Sequence, residues 1–471
     1  MSFNIRIVST YPPRRCGVGT FSRDLATALG SFTGEVGSVR VAAIDNGNGP
    51  YTIPVDLTIE QYKPESWRRT ASIILTRAHE GTSPTVVLLQ HEYGLDPDEK
   101  GNTRKGNNFV DMARMFQHGG LITLAYLHTV PKNPNDHQRR IIQDLAKYSD
   151  SLIVTTRSAI DILASDAYQI DSRKIKHIDH GIRMHNPSQR DRLSIKKEYG
   201  LEGMLLITTL GLHSPRKGIQ FSIRAYTRFL NESCTEEQRE NLVYLIAGEC
   251  HPELRRAKEY QVMIDKTLTE SYLRWCEAKE LGSIDFRKHD IAFLDRFLDE
   301  NTFLKLHTAT NMMILPYLDV EQISSGILAD TFGSGRVAIT TKFMYALELI
   351  NPKNPNQKGI IIDPHARGIL VDPGESSVDQ IAQGIDYLVF NREERLEMEN
   401  RARIRGHEMR WDNSAWRLVQ HLEFLREERE MVTGRGRVFK RKKKDSIYEQ
   451  KNSQLLNKEQ LKNCQKGMNP Q

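Results

Sequence analysis

At 471 residues the chain exceeds what a single hydrophobic core fills, so two domains are expected. Hydrophobic content of 39% and charged content of 27% fit an ordinary globular protein, and no apolar run approaches the roughly 18–20 residues of a bilayer span. The net charge of +6 is concentrated at one end: from Arg435 to Gln471 eleven Lys/Arg face three acids, or +8, which leaves −2 for residues 1–434, too little for a nucleic-acid-binding body.

The N-terminus enters a strand at once, without signal-peptide anatomy. Five cysteines (16, 234, 250, 276 and 464) are scattered with no C-x-x-C pair, which argues for a reducing compartment and against zinc or a disulfide framework. The expected location is cytoplasmic.

Along the chain, short apolar runs alternate with longer helical segments. Strands are predicted at 5–10, 39–44, 85–90, 122–127, 151–155, 176–178, 205–210, 243–247, 291–293, 313–316, 337–341 and 368–371. Helices fit between them, among them 21–29, 134–147, 220–230, 253–279 and 378–390. This alternation predicts α/β with mostly parallel sheets. The series breaks at the polar stretch 186–194, so the domains are read as 1–185 and 186–395, both Rossmann-like, with a cleft between them. A helical block at 396–430, carrying Trp411 and Trp416, is expected to pack across the domain boundary. Residues 435–471 hold the run Lys440-Arg-Lys-Lys-Lys444 and few apolar residues, the composition of a disordered tail. Such a tail is either a solvated extension or a peripheral contact to anionic membrane.

Three strand-to-helix turns carry phosphate-binding features. The first is Tyr11-Pro-Pro-Arg-Arg-Cys-Gly-Val-Gly-Thr-Phe21, where Gly17 and Gly19 permit close backbone approach and Arg14 and Arg15 add charge; a tight turn needing glycine for geometry alone is the plainer reading. The second, Gly211-Leu-His-Ser-Pro-Arg-Lys-Gly218, places Arg216 and Lys217 before a helix. The third runs from Leu315-Pro-Tyr to Gly335. Its small-residue turn Ser324-Ser325-Gly326 precedes a helix, with Glu321 and Gln322 on one side and Asp330 one turn inside. A phosphate site flanked by groups that hold hydroxyls points to a sugar nucleotide. His91, His128, His180 and His213 sit at or just beyond strand ends, where open α/β sheets face their ligand crevice. None has metal-ligand spacing, and no acidic pair marks a divalent-cation site.

In order and spacing these motifs resemble family 4 of the glycosyltransferases, the retaining, nucleotide-sugar-dependent enzymes of the GT-B fold. The likeness covers residues 4–425: the Tyr11 loop, His128, Ile178-Asp-His-Gly-Ile182, Gly211 to Gly218, Ala247-Gly248 and the Leu315 to Gly335 block. The resemblance implies two Rossmann-like domains with parallel sheets facing across a cleft, and C-terminal helices crossing back. Two of the motifs depart from it. Leu212 stands where the family has Arg, and the usual Glu, seven residues, Glu becomes Gln322 and Asp330 with Glu321 one residue away. The nearest look-alikes carry the Glu-Gln-x-Ser-Ser-Gly form of the block.

The resemblance implies transfer of a hexose from a UDP-, GDP- or ADP-sugar to a hydroxyl of a glycan or small acceptor, without cofactor or metal. Catalysis then means stabilising a departing diphosphate. Lys217 and the N–H groups around Ser324, Ser325 and Gly326 are expected to do so, with Arg216 as helper and Gly17 and Gly19 approaching as the cleft closes. His128 is expected to position the sugar and Glu321 or Gln322 to hold its hydroxyls. Asp330 is expected on the ribose, and the strand end reaching Arg296 on the base. The departing phosphate takes the acceptor's proton, so no enzyme nucleophile is required. Two alternatives stand beside this reading: a phosphorylase of the same fold, and a degenerate protein that binds the donor without turnover.

Overall fold

In the computed structural model, which describes residues 2–98, 100–102, 105–183, 187–250 and 259–432, the alternation resolves into two sheets of seven strands. Residues up to Leu422 form one unit, and those from Glu423 a second whose described part is helical. The tail 435–471 and the predicted domain junction at 185/186 lie outside the described residues.

The first sheet comprises β1 (Phe3–Ser9), β2 (Val36–Asp45), β3 (Val55–Glu60), β4 (Thr85–His91), β5 (Ile122–Leu127), β6 (Ser151–Val154) and β7 (Ile175–His177). Its order is β3-β2-β1-β4-β5-β6-β7, and every pairing is parallel. The second comprises β8 (Leu205–Leu210), β9 (Leu242–Ala247), β10 (Trp275–Ala278), β11 (Ile291–Leu294), β12 (Met312–Leu315), β13 (Val337–Thr341) and β14 (Gly368–Val371). Its order is β10-β11-β9-β8-β12-β13-β14, again parallel throughout. Central strands such as β5, β9 and β13 are buried along their whole length, because helices cover both faces of a parallel sheet. Trp67, Phe109 and Phe116 fill the core of the first sheet. Tyr226, Phe229 and Tyr244 pack one face of the second, and Phe286, Phe332 and Phe343 the other.

Two strands escape the sequence reading. The expected helix 253–279 is helical at Glu259–Ser271 but ends there; Tyr272 turns left-handed at φ 55°, and Trp275–Ala278 becomes edge strand β10. The segment 45–61, where no strand is predicted, contains edge strand β3. Edge strands pair on one side only, so both alternate between more and less exposed residues and lack the continuous apolar run that marks the central ones.

The last helical block is two helices, Arg392–Glu408 and Trp411–Val432. The first packs on the second domain, with Ala402 in its core. At the break the chain returns to the first domain: Ile182 N–H donates to Met409 O at 2.9 Å, and Trp411 N–H to Ile182 O at 3.3 Å. Trp411 then packs edge-on to Phe21 with centroids 4.9 Å apart. Asp179 pairs with both Arg405 (2.5 Å) and Arg417 (2.7 Å). Burial pushes its carboxyl up, but the two guanidiniums hold it below the ordinary range. No described helix is long and apolar enough to cross a membrane.

Candidate active site

In each sheet the chain winds to opposite sides of a central pair of strands, β1 and β4 in the first and β8 and β12 in the second, and such switch points open a crevice beyond the strand ends. All three glycine-bearing turns predicted from sequence follow strands at these two points.

After β1, the chain enters helix Gly17–Gly30 through an extended Cys16, with no acidic residue in its first turn. Gly19 lies against the strand end: a Cβ there would stand 3.4 Å from Thr10 Oγ1 and Tyr11 N. Phe21, on the same helix, is the hub of an aromatic cluster at the cleft. Its ring is edge-on to Tyr126 (5.1 Å), His128 (4.9 Å), His180 (5.1 Å) and Trp411.

His128 follows β5. Its Nε2 lies 2.8 Å from Gln90 Oε1, so Nε2 carries the proton and Nδ1 is left as an acceptor. Burial lowers its pKa to about 3, with His180 and His91 adding to the effect, and the ring stays neutral. His180 is likewise neutral, lowered to about 4 by burial, with Nδ1 2.7 Å from Gly181 O. Its Nε2 reaches across to the second domain: a Cβ on Gly326 would stand 3.7 Å from it.

After β8, Pro215–Lys217 forms a single tight turn. Gly218 closes it at φ 64°, where a Cβ would meet Pro316 O at 2.1 Å, so only glycine lets the turn pack on the neighbouring loop. Lys217 Nζ lies 3.5 Å from the centroid of the buried Tyr317 ring. Arg216 points outward, exposed, to Asp319 at 3.5 Å.

After β12 comes helix Gly326–Gly333, with no acid in its first turn. Ser325 caps it, Oγ accepting from Leu328 N–H at 3.3 Å. Gln322 Nε2 donates to Ser324 O at 2.6 Å, bracing its own loop. Glu321 faces the first domain and accepts from Lys132 N–H and Asn133 Nδ2, both at 3.2 Å. Ile323 inserts into the first domain's core, and its carbonyl accepts from Thr155 Oγ1 at 2.9 Å. The two adjacent residues that compete for the first acidic position therefore do different things: Glu321 spans the cleft and Gln322 shapes the loop.

Asp330, one turn inside the helix, is raised to about 7 by burial, with Arg183 opposing the rise. Its Oδ1 accepts from Arg183 N–H at 3.4 Å. The Arg183 side chain pairs with Asp24 at 2.9 Å and Glu300 at 3.5 Å. Arg296, beyond β11, is held by Glu280, Asp299 and Thr302 at 2.9–3.0 Å.

His128, His180, Lys217, Glu321, Gln322, Ser324, Ser325, Gly326 and Asp330 thus lie on strand ends, loops and helix Gly326–Gly333, while Arg216 and Arg296 are turned to partners of their own. Sequence reasoning missed Phe21, Tyr317 and Arg183. Each stood inside or beside a quoted motif, but an aromatic or arginine next to a turn has no signature until its neighbours are known.

No protein-family model matches this sequence, and no curated protein does. The structure is similar to that of HepE from Anabaena in complex with UDP and glucose, with TM-score 0.62 and 13% identity over 89% of this chain and 100% of that one. It is similar to a glycosyltransferase from Rickettsia africae, with TM-score 0.62 and 13% identity over 91% and 99%. It also resembles sucrose-phosphate synthase from Thermosynechococcus elongatus, with TM-score 0.63 and 12% identity over 90% and 99%. Likenesses at such identity establish architecture: this chain has the GT-B fold, two Rossmann-like domains facing across a cleft with C-terminal helices crossing back.

Proposed function

We propose that the protein is a retaining glycosyltransferase that moves a hexose from a nucleoside-diphosphate sugar to a hydroxyl of a carbohydrate or other acceptor. The observation that carries this reading is the convergence at one switch point of Lys217, the uncapped-by-acid helix start at Gly326, and His180 from the opposite domain. The sugar nucleotide and UDP named for HepE, on the same fold, support the same class of donor.

A nucleoside diphosphate is a good leaving group, so the site's task is to hold the negative charge that develops as it departs. Lys217 supplies a point charge, and the N-terminus of helix Gly326–Gly333 supplies N–H dipoles. His128, neutral with Nδ1 as acceptor, takes a hydroxyl proton of the donor sugar in a hydrogen bond and orients the ring. Glu321, at the seam of the two domains, is placed to hold a second sugar hydroxyl once its Lys132 and Asn133 contacts exchange. Asp330 accepts from the ribose. With the phosphate itself receiving the acceptor's proton, the reaction needs no enzyme nucleophile and no metal.

A donor-binding protein without turnover is the second reading. It is favoured by one observation: the side chain in the first acidic position, Gln322, is spent on Ser324 O. Thermal shift against UDP, GDP, ADP and their sugars, followed by assay of nucleoside diphosphate release, tests both. Binding raises the unfolding temperature as RT ln(1 + [L]/Kd). Stabilisation with release supports transfer, stabilisation without release supports the second reading, and no stabilisation by any of them overturns both.

A further inference from the structure

We propose that Arg15 is a donor-binding residue, a cation carried on the first domain's glycine loop that exchanges Glu249 for the diphosphate of the nucleotide. This rests on the reading of the cleft as a nucleotide-sugar site.

Arg14 and Arg15 are adjacent and look equivalent in the sequence, yet they face opposite ways. Arg14 is turned into its own domain, where Nη1 donates to Ile44 O at 3.1 Å and Gln61 Oε1 at 2.9 Å. Arg15 crosses the cleft. Its Nη1 lies 2.8 Å from Glu249 Oε2, and its guanidinium carbon stands 5.1 Å from the Phe297 ring centroid.

Glu249 follows β9, and its carbonyl accepts from His213 N–H at 2.8 Å, so the carboxylate rides on the turn that carries Lys217. A Cβ on Gly211, at the root of that turn, would stand 3.3 Å from Ile327 on helix Gly326–Gly333. Arg15 is therefore aimed at the loops that hold the helix start and Lys217. Among the described residues, those loops offer few cations: Leu212 is apolar, His213 is lowered to about 4 by burial, and Arg216 is turned to Asp319. Of these described side chains Lys217 alone faces the site, and one point charge does not balance a nucleoside diphosphate.

The two partners are unequal. The Glu249 side chain is 5% exposed and fixed, whereas that of Arg15 is 55% exposed and meets it through one guanidinium nitrogen. The contact uses a single guanidinium nitrogen, so it forgoes the two-point geometry that makes such pairs strong. A diphosphate offers a guanidinium two parallel charge-assisted hydrogen bonds and more negative charge, so it displaces the carboxylate. In the empty cleft Glu249 holds Arg15 in place; in the loaded one it competes with the ligand.

The test is calorimetric binding of UDP, GDP and ADP to the full chain and to Arg15→Ala, Arg15→Lys, Glu249→Gln and the Arg15→Ala/Glu249→Gln double variant. Arg15→Ala should weaken the preferred nucleotide about tenfold or more, and Arg15→Lys should recover part of it. Glu249→Gln should tighten binding about threefold, and that gain should vanish when Arg15 is absent. Wild-type affinity in Arg15→Ala, or an equal gain from Glu249→Gln with and without Arg15, overturns the inference while leaving the functional reading intact. If the wild type binds none of the three nucleotides, the functional reading fails and this inference with it.

Discussion

The ammonium of Lys217 lies 3.5 Å from the centroid of the Tyr317 ring, a cation resting on the face of a buried aromatic at the mouth of the second domain's switch point. The ring fixes the direction of a flexible side chain without neutralising it, as a carboxylate would. Lys217→Ala should lower kcat/KM by about 30- to 1000-fold, roughly 2–4 kcal/mol of transition-state stabilisation. Steady-state kinetics on the preferred donor check this, and near-normal kcat/KM removes Lys217 from the site.

Asp330 titrates within the physiological range. Its folded-state pKa, about 7, exceeds the ordinary carboxylate value because burial disfavours the charge. The folded protein therefore holds a proton that the unfolded chain has released, and this group's contribution to stability falls as pH rises from about 4 to 7. Asp330→Asn should leave stability unchanged near pH 4 and raise it by roughly 1–3 kcal/mol at pH 8. The same variant should weaken nucleoside diphosphate and intact donor alike, since ribose is common to both, whereas Glu321→Gln should weaken only the donor. Unfolding curves at two pH values and paired binding measurements check both parts.

Gly181 has no room for a side chain. A Cβ there would fall 2.1 Å from the Trp411 ring, inside the cluster centred on Phe21. Gly181→Ala should push the returning helix off the first domain and cost about 1–3 kcal/mol. Gly181→Ala combined with Trp411→Leu should recover part of that loss, because the clash is removed along with the ring. Denaturant unfolding of the three variants measures the coupling.

Turnover should survive EDTA. Among the described residues no three His, Cys, Asp or Glu side chains converge as a metal-binding group. On the proposed reading, the charge developing on the diphosphate would be met by Lys217 and the N-terminus of helix Gly326–Gly333 instead. Loss of activity on chelation, restored by Mg²⁺ or Mn²⁺, would count directly against this account.

Much of the architecture was legible along the chain because parallel strands buried on both faces are written as near-continuous apolar runs, which need no knowledge of partners to be seen. Leu205–Leu210 and Val337–Thr341 were read to the residue for this reason. Strands β3 and β10, at the sheet edges, were not, since half of each faces solvent and nothing local separates such a strand from a loop or a helix end. The three glycine-bearing turns were visible for a different reason: tight geometry restricts residue type. What faces what was not visible. Neighbours in sequence such as Arg14 and Arg15, or Glu321 and Gln322, compete for the same place on paper and are told apart only when the domains meet. One of each pair turns inward, to Gln61 or to Ser324, and the other reaches across the cleft. The sequence by itself determined the fold class and the loops that line the crevice. Only the tertiary structure decided which side chains enter it, because that depends on contacts between residues more than 180 positions apart, such as Arg15 with Glu249 and Asn133 with Glu321, which no local pattern encodes.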